Sequence, residues 1–445
     1  MSEQALGITM LCILVGAILL GYPTAFTLMA LGVIFGYIGF GDIVFNLLVQ
    51  STYKVMTNDV LIAIPLFVFM GYIIERSGVL DRLFRSIQLL MGPVRGSLAL
   101  ATMITCTIFA TATGIVGASV TLMGLLALPA MLRAKYDVRL ATGTIAAGGT
   151  LGILIPPSVL LILYGAVAGV SVPRLYAGAF LPGLMLSALY LAYILLRVYT
   201  DANAGPALSR EERSVPVRTI IVQAFTSFLP IVLLIGSVLG SILYGWATPS
   251  EAAALGALGG IILAAVYRQL SFRALQESVT LTARTSAMVG WLFVGSSLFA
   301  ATFARLGGSK VIEDWVLSLG LSPFTFFWIA QLVIFLLGWP LEWTEITIIF
   351  LPIFLPLLVK FDIDPLFFGI MTALNQQTSF LSPPVAMSAF YLKGVAPREV
   401  QLGQIYEGMY PYLAIQVVAM VVLYAWPALA TELPRVMYGA SIASR

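Results

Sequence analysis

The sequence contains no histidine and only two cysteines among its 445 residues. Without histidine, Ser-His-Asp hydrolysis, HExxH zinc proteolysis, histidine-ligated haem and histidine proton relays are all excluded. Cys12 and Cys106 both lie in apolar segments and form no CxxC pattern. We therefore expect neither a disulfide framework nor a cysteine-based metal cluster.

Charged residues are also scarce, since they make up 10% of the chain, whereas a soluble domain has roughly 25%. Hydrophobic residues make up 60%, the mean hydropathy is +1.01, and apolar stretches of about 20 residues, the length that spans a bilayer, recur along the chain. The composition predicts an all-α polytopic membrane protein. The small net charge of +3 is spread over loops and predicts no nucleic-acid partner. The chain starts with the acidic MSEQ rather than a basic signal-peptide region, so we expect the first helix to be retained.

Short motifs recur in the same order at an offset of about 226 residues, as Leu66 and Leu292 of the two LFV motifs illustrate. KYDV at 135–138 returns as KFDI at 360–363, and IPPS at 155–158 returns as SPPV at 382–385. The longest polar insert, 200–218, separates the two series. The sequence therefore predicts two repeats, at 1–215 and 216–445.

Each repeat is predicted to contain scaffold helices, a re-entrant hairpin and a helix broken at its Pro-Pro pair. The positive-inside rule places the N-terminus outside and gives each half five crossings. An odd number of crossings makes the repeats antiparallel, which is typical of secondary transporters with a site near the midplane. The predicted segments are scaffold helices 1–96, a hairpin and broken helix 97–170 and a helix 175–198 in the first repeat, and scaffold helices 216–305, a hairpin 320–360, a broken helix 365–392 and a last helix 405–431 in the second.

The two Pro-Pro pairs predict irregular backbone at membrane depth, which is tolerated only where it is buried in protein or lines a wet cavity. In the first half, Gly148, Gly149, Thr150 and Gly152 precede the break. In the second half, the corresponding stretch is NQQTS at 375–379. Carbonyl and hydroxyl oxygens of a broken helix suit a dehydrated Na⁺. The alternative is a proline-kinked helix whose polar groups satisfy one another.

The predicted hairpin tips are FATATGIVGAS and GWPLEWTE. The first offers Thr111, Thr113 and Ser119 around two glycines, although small residues also serve helix packing in membranes. The second contains Glu342 and Glu345, and acids at membrane depth are functional candidates by default. Either acid could instead face water at the outer surface.

Three segments together carry a family resemblance: residues 149–183, the hairpin motif GWPLEWTEI at 338–346, and residues 361–385. They resemble the large membrane subunit of tripartite ATP-independent periplasmic (TRAP) transporters, the DctM type. The resemblance covers nearly the whole chain. It implies an elevator-type importer of the bacterial inner membrane, in which a scaffold holds a moving transport domain. It also implies a small four-helix membrane subunit of the DctQ type and a periplasmic binding protein of the DctP type.

The resemblance further implies Na⁺ sites where each hairpin tip meets its broken helix, and it gives Na⁺ as the coupling ion. Lys54 stands where relatives often have an arginine near the substrate path, and it could attract an anion. The residues implied are Thr113, Gly114, Ser119, Gly149 and Gly152 for the first Na⁺ site, Gly338, Glu342, Thr344, Asn375 and Thr378 for the second, and Lys54, Thr150, Gln376 and Gln377 for the substrate.

The expected function is Na⁺-coupled import of a small organic anion, such as a 2-oxo acid, a dicarboxylate or a sugar acid, and not enzymatic catalysis. One alternative is a standalone ion-coupled carboxylate transporter or exchanger with the same hairpin architecture, which would need no partner proteins. Another is an intramembrane enzyme using Glu342 and Glu345, three residues apart, as paired acids.

Overall fold

The computed structural model describes residues 2–201, 203–208 and 216–439, without the side chains of Ala110, Ala112, Thr113 and Val217. These residues form helices joined by short turns, and no β-strand occurs among them. The helices are α1 (Glu3–Leu19), α2 (Thr24–Phe40), α3 (Ile43–Met56), α4 (Asp59–Arg76), α5 (Val79–Leu90), α6 (Ser97–Thr113), α7 (Val116–Arg133), α8 (Val138–Thr150), α9 (Val159–Ala168), α10 (Val172–Thr200), α11 (Val217–Leu243), α12 (Pro249–Val266), α13 (Phe272–Arg305), α14 (Gly308–Ser318), α15 (Pro323–Leu337), α16 (Trp343–Glu345), α17 (Leu351–Lys360), α18 (Pro365–Leu381), α19 (Met387–Val395), α20 (Leu402–Ala425) and α21 (Ala428–Tyr438).

Seven of the described helices are long and apolar enough to cross a bilayer. The count becomes eight if α3 and α4, which meet at a bend of 55°, form one span. The predicted all-α polytopic membrane protein is confirmed. The inverted relation of the two halves and their boundary at 215/216 stay predictions, and residues 209–215 lie outside the described part of the chain.

Helices assigned to the scaffold pack across the two halves of the chain. Helix α4 packs along α12 and α13, while α2 packs along α13. The amphipathic helix α5 follows Gly78, which has a positive φ of 68°, and α14 follows Gly307 in the same way with a φ of 76°. The Ser86 hydroxyl of α5 donates to Ser227 Oγ of α11 at 3.2 Å, which ties α5 to the second half.

Each predicted hairpin is a pair of helices with a turn where the polar tip motif lies. Helices α6 and α7 pack against each other and meet at Gly114, whose φ of +60° suits a residue without a Cβ. In the second hairpin, α15 leads into the turn at 338–342. The return arm, Trp343–Lys360, is one continuous helix that contains a π-helical stretch at Ile346–Phe350.

Each predicted broken helix is interrupted at its Pro-Pro pair. Helix α8 continues into a single 3-10 turn, Leu151–Ile153, and resumes as α9 at Val159. Helix α18 ends at Leu381 and resumes as α19 at Met387. Proline removes a backbone donor and disfavours helix in the preceding residue, which accounts for both interruptions. The Pro156-Pro157 and Pro383-Pro384 bonds are both cis.

Two predicted segments differ from the structure. The last helix, predicted at 405–431, is two helices, because α20 ends at Ala425 and α21 begins after Pro427. Pro427 cannot donate to the preceding turn, so the helix stops there. Residues Ile43–Met56, which the hydropathy pattern did not mark as a span, form α3.

Candidate transport site

The tips of the two hairpins and the two broken helices meet around one cavity of about 370 Å³, which we call the tip cavity. Helices α4 and α13 close its remaining sides. The cavity is lined by Ile64, Val68 and Tyr72 of α4, Gly114, Ile115, Val116 and Gly117 of the first tip, Val159 of α9, Thr285, Met288 and Val289 of α13, residues 338–346 of the second tip, and Gln376, Ser379, Phe380, Val385, Met387 and Tyr391 of the second broken helix.

The second hairpin is seated on α18 by a close backbone approach at its tip. A Cβ on Gly338 would overlap Ser379 Oγ and would lie 2.5 Å from Ser379 Cβ. The adjacent indole N–H of Trp339 donates to Ser382 Oγ at 3.2 Å. The tip therefore rests directly on the point where the helix breaks.

Deeper in the protein, Asn375 joins α18 to the first arm of the same hairpin. Its Nδ2 donates to the backbone carbonyl of Gln331 at 2.7 Å and to Gln331 Oε1 at 2.9 Å. Thr378 Oγ1 donates to the Asn375 backbone carbonyl at 2.5 Å and lies 3.3 Å from Asn375 Oδ1. Both side chains are buried behind the cavity wall.

The five residues expected at the second Na⁺ site thus fall into two groups. Gly338, Glu342 and Thr344 line the tip cavity, whereas Asn375 and Thr378 do not. Gly338 belongs to the contact between the hairpin tip and Ser379 of α18, where the resemblance implies the ion.

Glu342 and Glu345 form a capping box at the start of α16. The Glu342 side chain accepts from the Glu345 N–H, and Glu345 Oε2 accepts from the Glu342 N–H at 3.1 Å. Both acids also line the tip cavity. They are therefore structural caps whose remaining oxygen lone pairs face a ligand-sized space.

At the first hairpin, the predicted Na⁺-site residues are mostly small and closely packed. Gly114 lines the cavity, and a Cβ there would lie 3.4 Å from Val159 Cγ2 and 3.7 Å from the Pro157 carbonyl oxygen. Ser119 Oγ donates to the Ile115 carbonyl at 3.0 Å. Gly149 packs against Val120 of the second arm, and Gly152 is buried in the 3-10 turn. The side chain of Thr113 lies outside the described residues.

The expected substrate residues occupy three different places. Thr150 Oγ1 donates to Gln377 Oε1 at 3.1 Å, which links the two broken helices through fully buried side chains. Gln376 lines the tip cavity, its Nε2 donates to Thr347 Oγ1 at 3.3 Å, and its buried Oε1 has no hydrogen-bond partner among the described residues. Lys54 lies elsewhere, in a separate cavity of about 450 Å³ that we call the Lys54 cavity.

The sequence motifs did not identify the walls of the tip cavity that come from the other elements. Tyr72 of α4 and Thr285 of α13 line it, although neither belongs to a tip or Pro-Pro motif. The sequence did mark Tyr391, because a tyrosine follows each Pro-Pro pair, Tyr164 after the first pair and Tyr391 after the second. Trp339 stood within the hairpin motif, but its contact with Ser382 depends on tertiary packing.

Comparison with known proteins places the chain in a family. The model described as "Tripartite ATP-independent periplasmic transporter, DctM component" matches residues 11–429. The chain belongs to this family. The predicted TRAP resemblance is confirmed, and the relatives that carry a functional name, such as those of Pseudomonas aeruginosa and Vibrio cholerae, are named as transporter permease proteins rather than enzymes.

Among these relatives, a C4-dicarboxylate TRAP transporter large permease of Pseudomonas aeruginosa is 31% identical over 377 residues, covering 84% of this chain and 86% of its own. A sialic acid TRAP transporter large permease of Vibrio cholerae is 27% identical, covering 95% and 97%. Among solved structures, the YdaH transporter of Alcanivorax borkumensis aligns with a TM-score of 0.60 at 16% identity, covering 87% of this chain and 89% of that one. The last likeness concerns the fold alone.

Proposed function

We propose that the chain is the large permease of a Na⁺-coupled TRAP importer for a small organic anion. It would lie in the bacterial inner membrane with its N-terminus in the periplasm. A periplasmic binding protein would deliver the substrate, and a small four-helix membrane subunit would complete the complex. The single observation that carries the proposal is the convergence of two hairpin tips and two broken helices on one ligand-sized cavity.

The environment of the second tip supports a role for Na⁺. Na⁺ favours several neutral oxygens at the broken parts of helices. Gln376 Oε1 is buried without a partner, Asn375 Oδ1 and the Asn375 carbonyl face Thr378, and Gly338 lets the tip approach α18 closely. These residues fit a cation that draws the tip and the broken helix together.

At the first tip, Gly114 lies in the turn, Gly149 packs against Val120, and Gly152 lies in the 3-10 segment. We assign the first Na⁺ to this contact, with Ser119 and Thr113 as the hydroxyl candidates. The substrate would then bind in the tip cavity between the tips. Ion and substrate together would allow the transport domain to slide along the scaffold as an elevator.

The test is uptake into proteoliposomes that contain the chain with its small membrane subunit. Radiolabelled succinate, gluconate, benzoate and 4-methyl-2-oxopentanoate are offered with a candidate periplasmic binding protein of the DctP type, under an inward Na⁺ gradient. We expect uptake of at least one acid that stops when K⁺ replaces Na⁺ or the binding protein is omitted. Equal uptake without the partner proteins would favour a standalone carrier, and uptake that is indifferent to Na⁺ would overturn the proposed coupling.

A further inference from the structure

The charged side chains that line the tip cavity in the described part of the chain are all acidic. Glu342 and Glu345 contribute carboxylates, and no lysine or arginine is found among the described residues that line the space. In a site partly removed from water, like charges repel more strongly than in bulk solvent. A ligand with two carboxylates would place its second anionic group near fixed carboxylates without a basic partner.

The remaining walls are largely apolar. Ile64 and Val68 of α4 and Val289 of α13 are buried and line one side. Trp339 and Phe380 contribute aromatic rings on the opposite side. Such walls favour a hydrophobic ligand body, because a polyhydroxylated ligand loses hydration against apolar side chains.

Neutral hydroxyl groups in the tip cavity can donate hydrogen bonds to a single carboxylate. The hydroxyl-bearing side chains of Thr285, Ser379 and Tyr391 line the cavity, and Ser379 Oγ is buried with no hydrogen-bond partner in the described part of the chain. Hydroxyls donate to a carboxylate without adding charge. The volume of about 370 Å³ lies at the small end of ligand pockets, which range from about 300 to 1,000 Å³.

We propose that the tip cavity takes a monocarboxylate with an aliphatic or aromatic body and discriminates against dicarboxylates and polyhydroxylated acids. This inference rests on the proposed function and names its substrate class. It separates the chain from the two relatives above, whose names give a C4-dicarboxylate and sialic acid. The discrimination comes from two fixed carboxylates, which repel a second anionic group, and from largely apolar walls, which disfavour the burial of several hydroxyl groups.

The test measures binding to the purified complex of the chain with its small membrane subunit in nanodiscs, by calorimetry in NaCl. Benzoate and 4-methyl-2-oxopentanoate are the monocarboxylate probes, and succinate and gluconate are the competitors. We expect the better monocarboxylate to bind with a Kd at least tenfold lower than either competitor. Phe380→Asn should weaken monocarboxylate binding about tenfold, whereas Phe272→Asn, on an exposed side chain at the start of α13, should not.

A second variant tests the charge argument. Glu345→Gln removes one carboxylate but retains an oxygen that can accept the Glu342 N–H, so the cap of α16 is preserved. We expect succinate to bind this variant about tenfold more tightly than the parent complex. Unchanged succinate affinity would contradict the charge argument.

The outcomes separate this inference from the proposed function. Tighter Na⁺-dependent binding of succinate or gluconate than of either monocarboxylate would overturn the inference and leave the proposed importer standing. Absence of binding by all four acids, together with absence of uptake in proteoliposomes, would overturn both.

Discussion

At the scale of single residues, the contact between the second hairpin and α18 depends on a glycine. Gly338 has ordinary right-handed helical backbone angles, so alanine there would be unstrained in itself. Its Cβ, however, would lie 2.5 Å from Ser379 Cβ, an atom fixed to the backbone of α18. Glycine is therefore required at position 338 by the lack of room next to Ser379 and not by the backbone conformation.

We therefore predict that Gly338→Ala lifts the tip from α18, reduces Na⁺-dependent uptake at least tenfold and destabilises the protein by about 1–3 kcal/mol. Uptake in proteoliposomes and thermal unfolding in detergent measure the two effects. Gly290→Ala is the matched control, because nothing lies within 4 Å of a Cβ at that position. Adding Ser379→Gly to Gly338→Ala should restore part of the lost thermal stability, and a failure to restore any would show that the overlap is not the cause.

Asn375 and Thr378 provide the second prediction at this scale. We expect Asn375→Ala and Thr378→Ala to abolish Na⁺-dependent uptake, because each removes an oxygen proposed to serve the second Na⁺. The complex should still assemble, as judged by size-exclusion chromatography with the small subunit. Thr280→Ala, which removes a similar hydroxyl bond to the carbonyl four residues earlier on an exposed face, should leave uptake intact. Normal uptake by both site variants would remove these residues from the Na⁺ site.

At the scale of secondary-structure elements, a buried hydrogen bond between two side chains joins the two broken helices. Thr150 Oγ1 of α8 donates to Gln377 Oε1 of α18 across a sequence separation of 227 residues. Gln377 Nε2 has no hydrogen-bond partner within the described ranges, so loss of this bond would leave the whole buried amide unsatisfied. An unsatisfied buried polar group costs about 1–3 kcal/mol, more than a hydrogen bond usually contributes.

We predict that Thr150→Val, which keeps the side-chain shape, lowers the free energy of unfolding by about 1–3 kcal/mol. Gln377→Leu removes the amide that Thr150→Val leaves without a hydrogen bond. The double variant, Thr150→Val with Gln377→Leu, should therefore recover much of the lost free energy of unfolding. Thermal unfolding of all four proteins forms a double-mutant cycle. Additive losses would indicate that the two side chains do not support each other.

The element scale also shows what could be predicted from the sequence. Pro-Pro pairs and glycine-rich polar tips are local signals, so the interruptions after α8 and α18 and the turn at Gly114 were predictable. The end of α20 was missed, although Pro427 marks it, because the apolar pattern continues beyond the proline. Tyr72 and Thr285 could not be assigned to the site, because their position depends on how α4 and α13 pack against the hairpins.

At the scale of the whole molecule, two cavities lie in series along the same two helices. The tip cavity borders α4 from Ile64 to Tyr72 and α13 from Thr285 to Val289. The Lys54 cavity borders the same helices at Asn58 and Leu61, and between Phe293 and Ala301. Met288 and Ser297 are nine residues apart on α13, so at a rise of 1.5 Å per residue the two cavities are separated by about 14 Å along the helix.

An elevator motion would carry the hairpin tips along α13 toward Lys54, by about the distance that separates the two cavities. The positive charge of Lys54 would then attract the incoming anion. We predict that a cysteine at Leu341 in the second tip cross-links to a cysteine at Ser297 during turnover, in a background where Cys12 and Cys106 are replaced. The pair at Leu341 and Met288, which both line the tip cavity, reports the arrangement seen here. Na⁺ and substrate should shift the yield between the two pairs, as measured on gels after a short cross-linker. If the Leu341–Ser297 pair never forms while the Leu341–Met288 pair does, the transport domain does not travel along α13.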